Sequence, residues 1–385
     1  MCPEGSKRLD RREQGCERKL GSLSLSVSYV QMILWLMLIA FCLFSFPDNA
    51  TAQSEPQRLL QDAYAALRQG DIDRARLLFE TITELYPLSP EAAEGWFRLG
   101  QIERADLFLD DAVACFQKAI SHPYAYPRLV ALAKLSIGFV GIQKFTAGRW
   151  KERDSNGKEQ WKALEMGKAF WDVLEEARHL LEGIAREYSG QDVSVTAAAK
   201  LGVAKIWLLR QLPRLAERTY WEVIKKWGRG DPVLTGLARY GVAVAKAKQG
   251  NYEEAIQAFD AFIQNFRAGS ALNGLLVLSE DWKLKARTWK AFLLVGTGQR
   301  GRALSELQLA EREGWEMAKQ LKGDSLKLVR GWIAKVRMWQ ANLLDEADRP
   351  KEAERLLLET FAELGDTPEG QRALTMLWCL PERGR

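Results

Sequence analysis

Apolar residues along this chain recur at steps of three and four, broken by short polar turns. In residues 250–266, GNYEEAIQAFDAFIQNF, the Gly250-Asn251 turn leads into Ala255, Ile256, Phe259, Phe262, Ile263 and Phe266. That spacing places all six on one stripe of a helix. Ala255 is small where two helices would cross closely, and Phe259 is large where a gap would open. Residues 70–87 restate the pattern: Gly70, then Ala75, Phe79 and Ile82, closing on Tyr86-Pro87. Anchored on the alanine, seven copies emerge, at Ala75, Ala112, Ala177, Ala216, Ala255, Ala303 and Ala353. A large residue follows four positions later in each: Phe79, Phe116, Leu181, Tyr220, Phe259, Leu307 and Leu357. One such helix pair cannot bury its stripe alone, so the copies must stack. The expected fold is all-α, a solenoid of about seven helical hairpins.

The organisation predicted from this pattern has five parts. Residues 1–52 are a leader. Residues 53–127 hold copies 1 and 2, and residues 128–190 hold a third copy with an insertion at 146–165. In that copy, 128–144 reads as a first helix, 151–160 as a charged, turn-rich insertion and 161–188 as a long second helix. Residues 191–267 hold copies 4 and 5. Residues 268–385 hold copies 6 and 7 with a C-terminal tail, set apart by polar breaks at 267–273 and around 323–324.

The leader is polar as far as residue 27, with six basic residues against four acidic ones. Residues 30–46 then form a run with no charge and one Gln, ending at Pro47 before Ala50-Thr51-Ala52. That order is the layout of a secretory signal peptide. The rival reading is an uncleaved signal anchor, the run being at the short end of what spans a bilayer. Either way the expectation is an exported body, periplasmic, with membrane contact only through 30–46. Phe41 before Cys42 does not fit a lipid-attachment site.

The unit resembles the tetratricopeptide repeat. In the second copy Trp96, Leu99, Gly100, Ala112, Phe116, Ala119 and Pro123 fall where that family places its large residue, Leu-Gly pair, Ala, Phe and closing proline. Intervals between the alanines, at 37, 65, 39, 39, 48 and 50 residues, exceed the family period of about 34, and several first helices lack Leu-Gly. The resemblance implies that first helices line a concave surface on which peptides or partner segments lie. Carried over, it nominates Tyr64 and Arg68 in the first copy, Phe97, Arg98 and Gln101 in the second, Lys205 in the fourth and Tyr240 in the fifth. Trp289 and Phe292 follow in the sixth, Trp339 and Asn342 in the seventh. Copies with G-x-[Y/I]-x-x-A and a closing Y-P or N-F are similar to those of two bacterial envelope groups: the repeat subunit of the outer-membrane β-barrel assembly machinery and the coordinator of the Tol-Pal system. A lipid-bearing cysteine, as in the first, and a preceding coiled coil, as in the second, are both missing.

Composition narrows the function. The 385 residues are 47% apolar and 27% charged with a formal charge of +5, and both signs are interleaved, which argues against nucleic acid as a partner. Only His122 and His179 are present, so a His-based metal site or catalytic triad lacks raw material. No phosphate loop, Cys-x-x-Cys, His-Glu-x-x-His or nucleophile elbow occurs. Of the body cysteines, Cys115 is expected as a buried thiol, with pairing to Cys379 the minor alternative. Trp161, Trp171, Trp207, Trp221 and Trp227 are expected to fill gaps between long helices, or else to stack on sugars. The reading is a non-catalytic adaptor without cofactor or metal, holding an envelope protein or peptide segment. A peptidoglycan- or glycan-binding solenoid is the alternative.

Overall fold

The computed structural model describes residues 54–164, 168–227 and 230–379. The leader at 1–52, with its run at 30–46, lies outside them, as does the side chain of Cys379. Fifteen helices and two hairpins make up the described body. The helices are α1 (Glu55–Gln69), α2 (Ile72–Leu85), α3 (Pro90–Ala105), α4 (Leu109–Ser121), α5 (Pro127–Ala147), α6 (Lys168–Glu187), α7 (Val193–Leu209), α8 (Pro213–Trp227), α9 (Pro232–Lys248), α10 (Tyr252–Gln264), α11 (Asp281–Gly296), α12 (Arg300–Ala318), α13 (Gly323–Glu346), α14 (Pro350–Leu364) and α15 (Pro368–Cys379). Strands β1 (Arg149–Arg153) and β2 (Glu159–Ala163) pair antiparallel, as do β3 (Gly269–Ala271) and β4 (Leu276–Leu278).

The helix starts are written in the sequence. Ser89, Asp192 and Asp231 each accept a backbone N–H from two or three residues ahead, and Pro90 and Pro232 occupy first-turn positions whose N–H would be unpaired anyway. All seven anchor alanines and the seven large residues four positions later are buried. The close crossing is visible at Gly100, where an added methyl would meet the Phe116 ring at 2.6 Å.

Odd-numbered helices are the first members of the pairs and even-numbered helices the second. Consecutive first helices pack closely on one another from α1 to α9 and from α11 to α13, with Tyr240 and Trp282 in ring contact between α9 and α11, whereas no such close packing joins consecutive second helices. The first helices therefore sit on the shorter, inner arc and line the concave side, as ridge packing of tilted pairs requires. The unpaired α15 packs on both α13 and α14 and covers the end of the array.

Four expectations need correction. The insertion is a β-hairpin, and Trp161 belongs to β2 rather than to a long second helix, which starts at Lys168. The hairpin is mostly charged, with Trp150 and Trp161 as its isolated large apolar residues, which is why the segment reads as a loop. The break at 267–273 is the start of a second hairpin. The residues around 323–324 begin α13. Trp161, Trp171 and Trp221 are exposed rather than gap-filling, while Trp207 and Trp227 pack on the core. Trp150, unremarked in the sequence, is buried and donates its indole N–H to Asp110 Oδ2 at 2.8 Å.

The second hairpin positions the site. Leu272, Leu275 and Leu278 are buried, and both strands lie on α9. Its tip turns through Leu272, Asn273 and Gly274, all at positive φ, and the Arg98 Nη1 of α3 donates to the Asn273 carbonyl at 3.1 Å. The segment that follows the fifth copy thus crosses the concave side to reach the second.

Candidate concave binding face

The nominated residues fall into three groups. At the N-terminal end, Tyr64, Arg98 and Gln101 come together. Arg98 Nε donates to the Tyr64 hydroxyl at 3.0 Å and to Glu94 Oε1 at 3.1 Å, and Nη1 donates to Gln101 Oε1 at 2.8 Å. The Tyr64 hydroxyl donates to Glu94. Burial and the neighbouring Glu94 carboxylate raise the Tyr64 pKa well above the usual phenol range, and the same two causes push Tyr126 up to about 12. These side chains are spent on one another and on the hairpin tip. Arg68 is exposed on the last turn of α1. Phe97 is corrected: it is fully buried, its ring 5.8 Å from that of Phe116, because its position on α3 faces the second helix rather than the concave side.

In the middle, Lys205 and Tyr240 line one cavity beneath the hairpin. Tyr240 is wedged edge-on against Phe259, Phe262 and Trp282, at 5.6, 5.5 and 4.9 Å between ring centres. Burial raises its pKa, opposed by a hydrogen bond from Trp289 and assisted by the charge of Asp281.

At the C-terminal end, Trp289, Phe292, Trp339 and Asn342 meet. The Trp289 and Phe292 rings are 6.2 Å apart, and Phe292 meets Trp339 at 4.1 Å, nearly perpendicular. Trp289, Phe292 and Trp339 remain 41%, 37% and 40% exposed. Phe292, Trp339 and Asn342 line a cleft of about 80 Å³ between α11 and α13, with Glu346 at its edge. With Tyr240 they make a continuous aromatic stripe across three successive first helices. Exposed, mutually supported aromatics offer contact area at small rotamer cost.

The sequence gives no sign of the charged ladder behind this stripe. Arg287, from α11, pairs with Glu306 and with Glu313 at 2.8 Å, both on α12. Lys290 reaches Asp260 at 2.6 Å and Glu306 at 2.8 Å. Arg337, from α13, joins Glu311 of α12 at 2.6 Å to Glu363 of α14 at 2.8 Å. The signal is present only as like-spaced charges on apposed helices, which a single-helix reading assigns to solvent.

Cys115 is a free, half-buried thiol. Burial first, then the charge of Glu103, pushes it up to about 11. At pH 8 it is therefore almost wholly protonated, and alkylation at Cys115 should run roughly 100-fold slower than at an ordinary thiol. Peptide-resolved mass spectrometry after timed iodoacetamide treatment measures this, and a rate equal to that of an unfolded control would refute it. Among the described residues, no group of three or more His, Cys, Asp or Glu side chains is arranged to hold a metal.

Comparison with known proteins agrees with this geometry. Residues 60–128 and 210–271 match the tetratricopeptide repeat family model. A search of curated proteins returns no match. Among solved structures, a tetratricopeptide repeat protein from Parabacteroides merdae is 13% identical, covering 84% of this chain and 98% of its own, with a TM-score of 0.50. The apo quorum sensor NprR from B. thuringiensis is 11% identical over 86% of this chain and 92% of its own, with a TM-score of 0.47. A Rap protein complexed with a competence and sporulation factor is 11% identical over 93% of this chain and 94% of its own, with a TM-score of 0.49. The fold is an all-α, tetratricopeptide-like helical-repeat solenoid, and two of its segments carry the tetratricopeptide repeat pattern.

Proposed function

We propose that this chain is a non-catalytic, exported scaffold that holds a protein or peptide segment of the cell envelope on the C-terminal half of its concave face. The observation that carries the reading is the exposed aromatic stripe of Trp289, Phe292 and Trp339. The N-terminal concave residues are already occupied by one another and by the hairpin tip, whereas this stripe is open. A partner would place an apolar side chain in the cleft between α11 and α13, with Asn342 and Glu346 available to its polar groups. Burying such rings beside a partner is the usual source of binding energy in an interface of this kind. Export rests on the leader at 1–52, with its charge-free run at 30–46.

Fractionation of cells carrying the C-terminally tagged chain, with a blot that sizes it and a crosslinking pull-down, tests the reading. The expected result is a shortened chain in the exported fraction, crosslinked to one or two envelope proteins. A full-length, cytoplasmic chain would overturn export. Retention on cell-wall sacculi without a protein partner would instead favour glycan binding through the exposed Trp161, Trp171 and Trp221.

A further inference from the structure

The hairpin β3–β4 roofs a cavity of about 460 Å³ on the concave side, within the range of about 300–1,000 Å³ typical of small-molecule sites. Its walls come from five first helices and from Tyr220 of the second helix α8. Phe139, Leu201, Leu208, Leu237, Val244 and Trp282 make them apolar, and residues 274–277 close the top. Two cations also face it, Arg104 from α3 and Lys205 from α7, and no Asp or Glu lines it.

The cations are the anomaly. Elsewhere in the array, enclosed cations are matched: Lys246 pairs with Glu217 at 3.3 Å and with Glu254, and Arg287, Lys290 and Arg337 each hold two carboxylates. Among the described residues, neither the Arg104 guanidinium nor the Lys205 ammonium has an acidic partner or a hydrogen bond. Burial lowers the Arg104 pKa, and burial together with repulsion from Lys248 lowers that of Lys205. Lys205 is exposed to solvent where it lines the cavity, and Arg104 is half-buried. The half-buried, unneutralised charge of Arg104 facing an apolar cavity is costly unless an anion completes it, and Lys205 adds a second positive charge to the same lining.

The rest of the lining says what carries the anion. No Ser, Thr, Asn, Gln or His lines the cavity, and Tyr220 and Tyr240 supply the only side-chain hydroxyls. A peptide threaded here would leave its backbone N–H and C=O groups unpaired. An acyl chain has no such requirement.

We propose that the cavity beneath the hairpin binds a single-chain anionic amphiphile, its acyl chain against the Leu, Phe and Trp walls and its carboxylate or phosphate head on Arg104 and Lys205. The hairpin is the roof of this site, and Tyr240, which lines it, borders the partner-binding stripe. The site stands apart from the envelope-scaffold reading and does not depend on it.

Photolabelling of the chain in intact cells tests the site. The probes are a long-chain fatty acid bearing a diazirine, its phosphate-headed counterpart, the corresponding alcohol, and a diazirine-bearing Leu-rich peptide. Peptide mass spectrometry locates the label. The expected result is labelling of α7, α9 or the hairpin by the acid or the phosphate probe, their ratio identifying the head group. The alcohol should label about tenfold less, and Arg104→Met with Lys205→Met should lower acid labelling about tenfold or more, because charge-assisted bonds to the head are lost. Lys205→Arg should retain it. Equal labelling by alcohol and acid, no label in the cavity, label unaffected by loss of both cations, or labelling by the peptide instead would overturn the proposal. If the double variant does not fold, the acid-to-alcohol ratio on the native chain decides.

Discussion

Phe259→Ala is expected to destabilise the array by about 3–5 kcal/mol. Phe259 is fully buried in the stripe of α10, and its ring meets the edge of Tyr240 on α9. The alanine would leave a cavity between two helices that the fifth copy cannot close, since Ala255 already brings them as near as a methyl allows. In a solenoid each copy is stabilised mainly by its neighbours, so the defect should also weaken the coupling of the repeats on either side. Denaturant unfolding followed by circular dichroism measures the loss. Leu358→Ala, at an exposed position of α14, serves as the comparison and should stay within about 0.5 kcal/mol of the parent. Equal losses for the two would show that the anchor position does not carry the packing assigned to it.

Arg337→Ala should cost about as much, roughly 3–5 kcal/mol, for a different reason. Its guanidinium is buried and ties α13 to Glu311 of α12 and Glu363 of α14, while Gln340 donates to the other oxygen of Glu311 at 2.9 Å. Removing the cation leaves the Glu311 carboxylate enclosed and unneutralised. Glu363 is about half exposed, so water compensates it and most of the penalty arises at Glu311. Arg337→Met combined with Glu311→Gln removes both charges and should recover much of the stability. A double variant as unstable as the sum of its single changes would contradict this account of the ladder.

The helix pairs are legible in the sequence because the repeat writes each contact twice. Ala75 and Phe79, or Ala353 and Leu357, announce a small-and-large pair on one stripe, and every such pair is buried. The concave residues are only half legible. Phe97 and Arg98 are adjacent on α3, yet one is core and the other polar face; a turn of about 100° per residue separates these fates, and periodicity alone does not fix the azimuth. Trp289, Phe292, Trp339 and Asn342 do converge, because copies 6 and 7 stack their first helices in the register the repeat implies. The hairpins are not legible. β1 and β2 are mostly charged, with Trp150 and Trp161 too isolated to show an alternation, and the buried leucines of 272–278 lie in a stretch too short for any period to show. The contact of Asn273 with Arg98 joins residues 175 positions apart, and the unmatched charges of Arg104 and Lys205 become apparent only once that hairpin is seen to roof them.

The central claim is that a partner segment lies on the concave aromatic stripe and not on the outer helices. Photo-crosslinking in intact cells addresses it most directly, with p-benzoylphenylalanine placed singly at Trp289, at Trp339 and, on the outer helix α2, at the exposed Leu77. The account predicts the same protein adduct from positions 289 and 339 and none from 77. Adducts from 77 alone, or of equal strength from all three positions, would contradict it.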